Sequence, residues 1–166
     1  QAAIRQLIGA AKYMAPDERQ AYVDAVAQRA EVVPPTDLMM TSAQVRELRA
    51  AGQQVGAHTV THPILRTLSA PAARQEIESG KQRLETLLGE PVRLFAYPNG
   101  KPGEDYVPDN VVLVREAGFD AAVSTQWGVS TQRTDPFQLR RFTPWDAQRW
   151  RFGLRLWRNA AFGARD

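Results

Sequence analysis

Only two histidines occur in the 166 residues, and they stand four apart, at His58 and His62. Two imidazoles at that spacing can reach one ion from a helix face or from a curled loop. Imidazole suits zinc and other borderline transition metals. Thr59, Val60 and Thr61 between them are β-branched and disfavour helix. Pro63 drives His62 towards extended backbone. The spacing therefore predicts a loop leaving a short strand over 53–57, and a βα fold places its chemistry at such strand ends. No Glu follows His58, so the helical metalloprotease motif is absent. Two unrelated surface histidines satisfy the same spacing and stay open as the other reading.

A second stretch, Leu94-Phe95-Ala96-Tyr97-Pro98-Asn99-Gly100, runs from an apolar strand into an aromatic and then a turn. Gly100 frees the backbone to approach a ligand, and exposed N–H groups in such a turn can hold an oxyanion. A tight turn carrying a core tyrosine is the alternative.

The elements that must position these residues follow from periodicity. Ile4, Leu7, Ile8 and Ala11 recur at helical spacing, and Tyr22, Val26 and Ala30 mark a second helix after Pro16-Asp17. Pro34, Pro35 and Asp37 form a connector. Thr41 to Gln44 reads as a capping box before Val45, Leu48 and Ala51, with Gly52 at the left-handed C-cap. Ser69 is expected to cap a helix whose face is Ala73, Ile77, Gly80, Leu84 and Leu87, closed by Gly89. Val92–Tyr97 and Phe119–Thr125 read as strands, with a weaker one over Leu139–Phe142. Asp109 is expected to cap a helix ending at Ala117. This alternation predicts an α/β fold of parallel βα units. Three or four strands fall short of a closed barrel of about 250 residues, so an incomplete barrel is expected.

Composition removes several classes. With no cysteine there is no disulfide, thiolate metal site or cysteine nucleophile. Lysine and arginine number 21 against 18 aspartates and glutamates, too small an excess to imply nucleic acid. No apolar run approaches the ~20 residues of a bilayer span. The chain opens at Gln1, already in a helical pattern and without a charged-then-apolar leader. It is read as a piece of a longer protein. From Arg140 on there are seven arginines against Asp146 and Asp166, and Trp150, Leu154, Trp157 and Ala161 share one helical face. That face is expected to pack on the barrel, with an anionic membrane or glycan as the alternative.

Taken together, the two motifs resemble those of the polysaccharide deacetylases of the NodB-homology group, carbohydrate esterase family 4. Val55-Gly56-Ala57-His58-Thr59-Val60-Thr61-His62 resembles the family's second motif. Phe95-Ala96-Tyr97-Pro98-Asn99-Gly100 resembles the third, in the variant of many bacterial exopolysaccharide-type members, and Gly118-Phe119-Asp120-Ala121-Ala122-Val123 resembles the strand that follows. The resemblance spans residues 38–142. It divides the chain into N-terminal helices and connector (1–37), the C-terminal part of the deacetylase barrel (38–143) and a basic amphipathic tail helix (144–166).

The resemblance implies a partial, distorted (β/α) barrel with parallel strands and flanking helices. It implies a divalent metal held by one Asp and two His, here His58 and His62; zinc is expected first, with cobalt, nickel or manganese as alternatives. A neighbouring Asp is the general base, the Asn99 backbone is the oxyanion donor, and Tyr97, Pro98, Trp127 and Arg141 bind substrate. The implied function is N-deacetylation of an N-acetylhexosamine-containing polysaccharide, giving acetate and an amine. A non-catalytic glycan-binding domain of the same fold is the alternative. The chain departs from the family pattern in three ways. It has no Asp-Asp pair, it has Ala96 where the third motif usually carries Arg, and no histidine lies near Leu139–Phe142. The base is therefore expected on an upstream segment, and this piece alone is expected to be inactive. The expected partners are that segment and an N-acetylated polysaccharide, with no nucleic acid and no membrane surface. A cell-envelope or extracytoplasmic place is favoured.

Overall fold

Four successive stretches of extended chain lie side by side, all parallel and in sequence order. The computed structural model describes residues 2–142 and 145–163. Strand β1 (Leu94–Ala96) pairs in parallel with β2 (Ala121–Val123), in the register Leu94 to Ala121 and Ala96 to Val123. Single bridges extend the sheet on both sides, Ala57 to Phe95 and Val123 to Leu139. The strands expected over 53–57 and 139–142 are thus each reduced to one bridging residue, and the other two are shorter than their apolar runs.

Helices connect and cover this arc. Helices α1 (Ala2–Ala11) and α2 (Pro16–Arg29) precede it. Then α3 (Ser42–Ala50) opens with the expected capping box, in which Thr41 Oγ1 accepts from Gln44 N–H at 3.3 Å and Gln44 Oε1 accepts from Thr41 N–H at 2.8 Å. Helix α4 (Ala70–Leu88) buries Ala73, Ile77 and Gly80, as the periodicity predicts, and ends on left-handed Gly89. Ser69 stands at its N-cap without a side-chain bond, its carbonyl alone opening the ladder. Helix α5 (Pro108–Glu116) corrects a second cap. Pro108 takes the first helical position, where its missing N–H costs nothing. Asp109 therefore falls inside the first turn, and Asn110 Oδ1 accepts from Val107 N–H at 3.0 Å instead.

The core lies between these two helices and the sheet: Ile77, Val92, Phe95, Tyr97, Tyr106, Val114, Phe119 and Ala122 are all buried. Helix α6 (Arg149–Phe162) follows the arc. Its expected packing face does not form: Trp150, Leu154 and Trp157 stay more than half exposed, and Asn159 is its buried residue. Arg165, Asp166, Gln1 and the boundary drawn at Thr143 lie outside the described residues. Among the described residues, no helix is long and apolar enough to cross a membrane.

Tyr97 and Tyr106 stack face to face, 3.9 Å between ring centroids, and the Tyr97 hydroxyl donates to the Phe137 carbonyl at 2.9 Å. Burial raises both phenols, Tyr106 to about 12 and Tyr97 further still. The ordinary tyrosine value is about 10. Stability from keeping these phenols neutral is therefore complete below about pH 10 and is lost as pH rises through 12. Alkaline titration followed by tyrosinate absorbance should show two of the four tyrosines ionising only as the protein unfolds. All four titrating together near pH 10 with the fold intact would contradict this.

Candidate active site

The two motifs meet at the ends of the strands. Ala57 N–H donates to the Leu94 carbonyl at 2.8 Å, and Ala96 N–H returns to the Ala57 carbonyl at 2.9 Å. That ladder sets His58 beside the end of β1, where its Nδ1 lies 2.6 Å from the Ala96 carbonyl. A carbonyl only accepts, so Nδ1 carries the proton and Nε2 is left as a bare lone pair. The His62 ring stands edge-on to it, 4.8 Å between centroids. The loop expected between the two histidines is thus present, and it brings the rings together.

Protein atoms crowd His58 although its ring reaches the surface. Burial lowers its pKa below the ordinary histidine value. The positive charges of His62 and Arg141 act in the same direction, and the Ala96 hydrogen bond opposes them. The neutral ring, the form that can ligate a metal, is favoured.

The loop holds an unusual backbone. Thr59 and His62 have φ of 63° and 55°, a left-handed conformation uncommon for any side chain and an outlier for a β-branched one. Such residues cost on the order of 1–3 kcal/mol and persist only when their surroundings hold them. Here three neighbours do so. Glu76, from α4, accepts from Val60 N–H (2.8 Å), Thr61 N–H (2.9 Å) and Thr61 Oγ1 (2.9 Å). Thr59 Oγ1 accepts from His62 N–H at 3.1 Å. Arg19, from α2, donates to the Thr61 and His62 carbonyls at 2.6 and 3.2 Å. Gly80 lets α4 come this close, since a Cβ there would lie 3.0 Å from the Thr59 carbonyl group.

The turn after β1 is equally fixed. Asn99 has φ 56° and Gly100 φ 78°. Gly100 N–H closes on the Pro98 carbonyl at 2.6 Å, and Thr125 Oγ1 donates to the Asn99 carbonyl at 2.6 Å. A side chain at Gly100 would press within 3.0 Å of Thr125 N and the Tyr97 carbonyl. The Asn99 N–H has no hydrogen-bond partner among the described residues, as an oxyanion donor requires.

The remaining expected site residues divide. Trp127 is 53% exposed, and Arg141 is exposed and close enough for its charge to bear on His58. Tyr97 and Pro98 are corrected: both are buried, and the Tyr97 hydroxyl is committed to Phe137. Their side chains shape the turn from beneath rather than facing a substrate. The strand's alternation puts Tyr97 on the core side with Phe95. Glu76 and Arg19 carry no local signal. Each reads as an ordinary surface charge on a helix, and only the folded chain brings them to the loop.

The histidine pair fits two positions of a metal site: one lone pair is freed by its partner's hydrogen bond and the second ring is adjacent. Among the described residues no third His, Cys, Asp or Glu joins them.

An arc of parallel βα units with its polar loops gathered at the strand ends defines an incomplete (β/α) barrel. Residues 18–122 match the polysaccharide deacetylase family, and the chain belongs to that family. Solved structures agree on the fold. A deacetylase of Streptococcus pyogenes, PplD, determined in complex with acetate, is 23% identical and superimposes with a TM-score of 0.60 over 64% of this chain and 46% of its own. The BpsB deacetylase domain of Bordetella bronchiseptica is 20% identical, with TM-score 0.56 over 64% of this chain and 50% of its own. A polysaccharide deacetylase of Bacillus cereus is 19% identical, with TM-score 0.55 over 74% of this chain and 42% of its own. The chain thus spans half or less of the length of these relatives. No curated protein sequence matches it significantly.

Proposed function

We propose that this chain carries part of the active site of a metal-dependent N-deacetylase acting on a polysaccharide with N-acetylhexosamine units. The observation that carries the reading is the junction of the two motifs, where the Ala96 carbonyl at the end of β1 holds the His58 ring edge-on to His62. His58 and His62 would hold a divalent ion, zinc first, with cobalt, nickel or manganese as alternatives. When bound, that ion supplies Lewis-acid polarisation of the amide carbonyl and a more acidic water.

The chain's own residues have separate tasks. Asn99 N–H would donate to the oxygen that gains charge as the amide carbonyl is attacked. Trp127 offers an indole face to a sugar ring, and Arg141 offers a cation at the rim. The general base and the carboxylate ligand belong to an Asp-Asp motif on an upstream segment of a longer protein, and a cell-envelope setting suits a polysaccharide substrate. Among the described residues no carboxylate joins the two histidines in a group that could hold a metal, which favours a second reading, a glycan-binding domain without catalysis.

Calorimetric titration with zinc tests the metal site without needing turnover. The chain should bind one zinc, and His58→Ala and His62→Ala should each weaken binding by more than about 100-fold, since losing only a ligand's outer partner already costs about 10–100-fold. Circular dichroism should be unchanged. Zinc affinity indifferent to both substitutions would remove the reading.

A further inference from the structure

Helix α6 is fastened on one side and open on the other. Asn159 is buried and donates through Nδ2 to the Gly128 carbonyl at 3.1 Å, tying the helix to the turn after Trp127. Between the helix and that turn lies a cavity of about 550 Å³. Its wall mixes two kinds of group. Trp127 and Trp150 present indole rings, 53% and 64% exposed, and Arg151, Arg155 and Arg158 present guanidinium groups. Asp146 also lines it, ion-paired to Arg155 at 2.7 Å, so the cavity keeps a net positive charge. The Arg151 guanidinium sits 5.2 Å from the centre of the Trp150 ring.

We infer that this cavity binds a uronate-bearing, negatively charged glycan strand. An indole face takes the C–H face of a pyranose ring, while a guanidinium fork takes a carboxylate through two parallel hydrogen bonds. Because Trp127, Trp150 and three arginines line the same cavity, a carboxylate carried on the stacked sugar itself, as in a uronic acid, meets a guanidinium there. A membrane surface is a poorer match. A membrane would meet the helix alone, whereas this wall is concave and takes one of its two indoles, Trp127, from outside the helix. The cavity shares Trp127 with the residues expected to meet substrate, and Arg140 donates to the Trp127 carbonyl at 3.0 Å. That the bound strand runs on towards the histidines rests on the deacetylase reading; binding in the cavity does not.

Tryptophan fluorescence and calorimetry on the 166-residue chain test this with oligogalacturonate as the probe. Neutral chitin oligomers, polyglutamate and phosphatidylglycerol vesicles serve as comparisons. Oligogalacturonate should bind best, with affinity falling as salt rises. Trp150→Ala and Arg151→Gln should each weaken it about tenfold or more, and Arg151→Lys should fall between. Both positions are exposed, so the fold and the zinc affinity should not change. Equal binding of polyglutamate, binding to vesicles alone, no binding of oligogalacturonate, or indifference to Trp150→Ala would each overturn the inference. Zinc titration of the same variants keeps its failure separate from that of the deacetylase reading.

Discussion

Supplied with zinc and N-acetylglucosamine oligomers, the 166-residue chain should release acetate about 10²–10⁴-fold more slowly than a longer protein carrying an upstream Asp-Asp motif. That range is what a positioned general base contributes. The expectation follows from where the aspartates stand. Asp105 is buried, paired to Lys12 at 3.2 Å and accepting from Lys101 N–H at 2.9 Å. Asp120 precedes β2, at the end of the sheet away from the histidines, and pairs with Arg93 at 3.0 Å. Asp135 caps Phe137 N–H and pairs with Arg115. Asp146 is held by Arg155. Each has structural work elsewhere, and none forms a three-residue group with His58 and His62 among the described residues. Acetate release by the short chain at the longer protein's rate, and abolished by His58→Ala, would show that a base has been misassigned.

Glu76→Ala should lower stability by about 3 kcal/mol and abolish zinc binding together. The carboxylate is half-buried and accepts three hydrogen bonds from the loop, and bonds to a charged group contribute about 1.5–3 kcal/mol each, with incomplete additivity. Removing it strands two backbone donors and frees the left-handed Thr59 and His62 to relax. Since about 1 kcal/mol moves the midpoint by roughly 2–4 °C in a chain of this size, a fall of about 6–12 °C is expected. Glu78→Ala two residues on is the control. Its ion pair with Arg74 is exposed, and such pairs contribute about 0–1 kcal/mol. A Glu76→Ala protein that keeps zinc affinity would mean that Arg19 and Thr59 hold the loop unaided.

Elements set by their neighbours along the chain were legible beforehand. The Thr41 capping box, the buried stripe of α4 and its left-handed Gly89 are decided within a few residues, by hydrogen-bond reach and helical period. Caps that depend on competition were not. Asp109 and Ser69 are both good cap residues, yet Pro108 moved one start point and the Ser69 side chain makes no cap bond.

The histidine spacing, the apolar run into an aromatic and a glycine turn, and the parallel βα order were all present in residue order alone, because each is a local pattern. Long-range contact decided the rest. The length of the strands depends on which neighbours pair with them, so 53–57 kept a single bridge to Phe95. Tyr97 went to the core because Tyr106 and Phe137 were there to receive its ring and hydroxyl. The aromatic face of α6 stayed open: among the described residues Asn159 is the buried one of the helix, tied to Gly128. Most of all, the form of the histidine loop rests on Glu76, Arg19 and the Ala96 carbonyl, residues 15 to 43 positions away. A strained left-handed loop gains nothing from its own sequence; it exists because distant groups satisfy its backbone, and only folding brings them within hydrogen-bond distance.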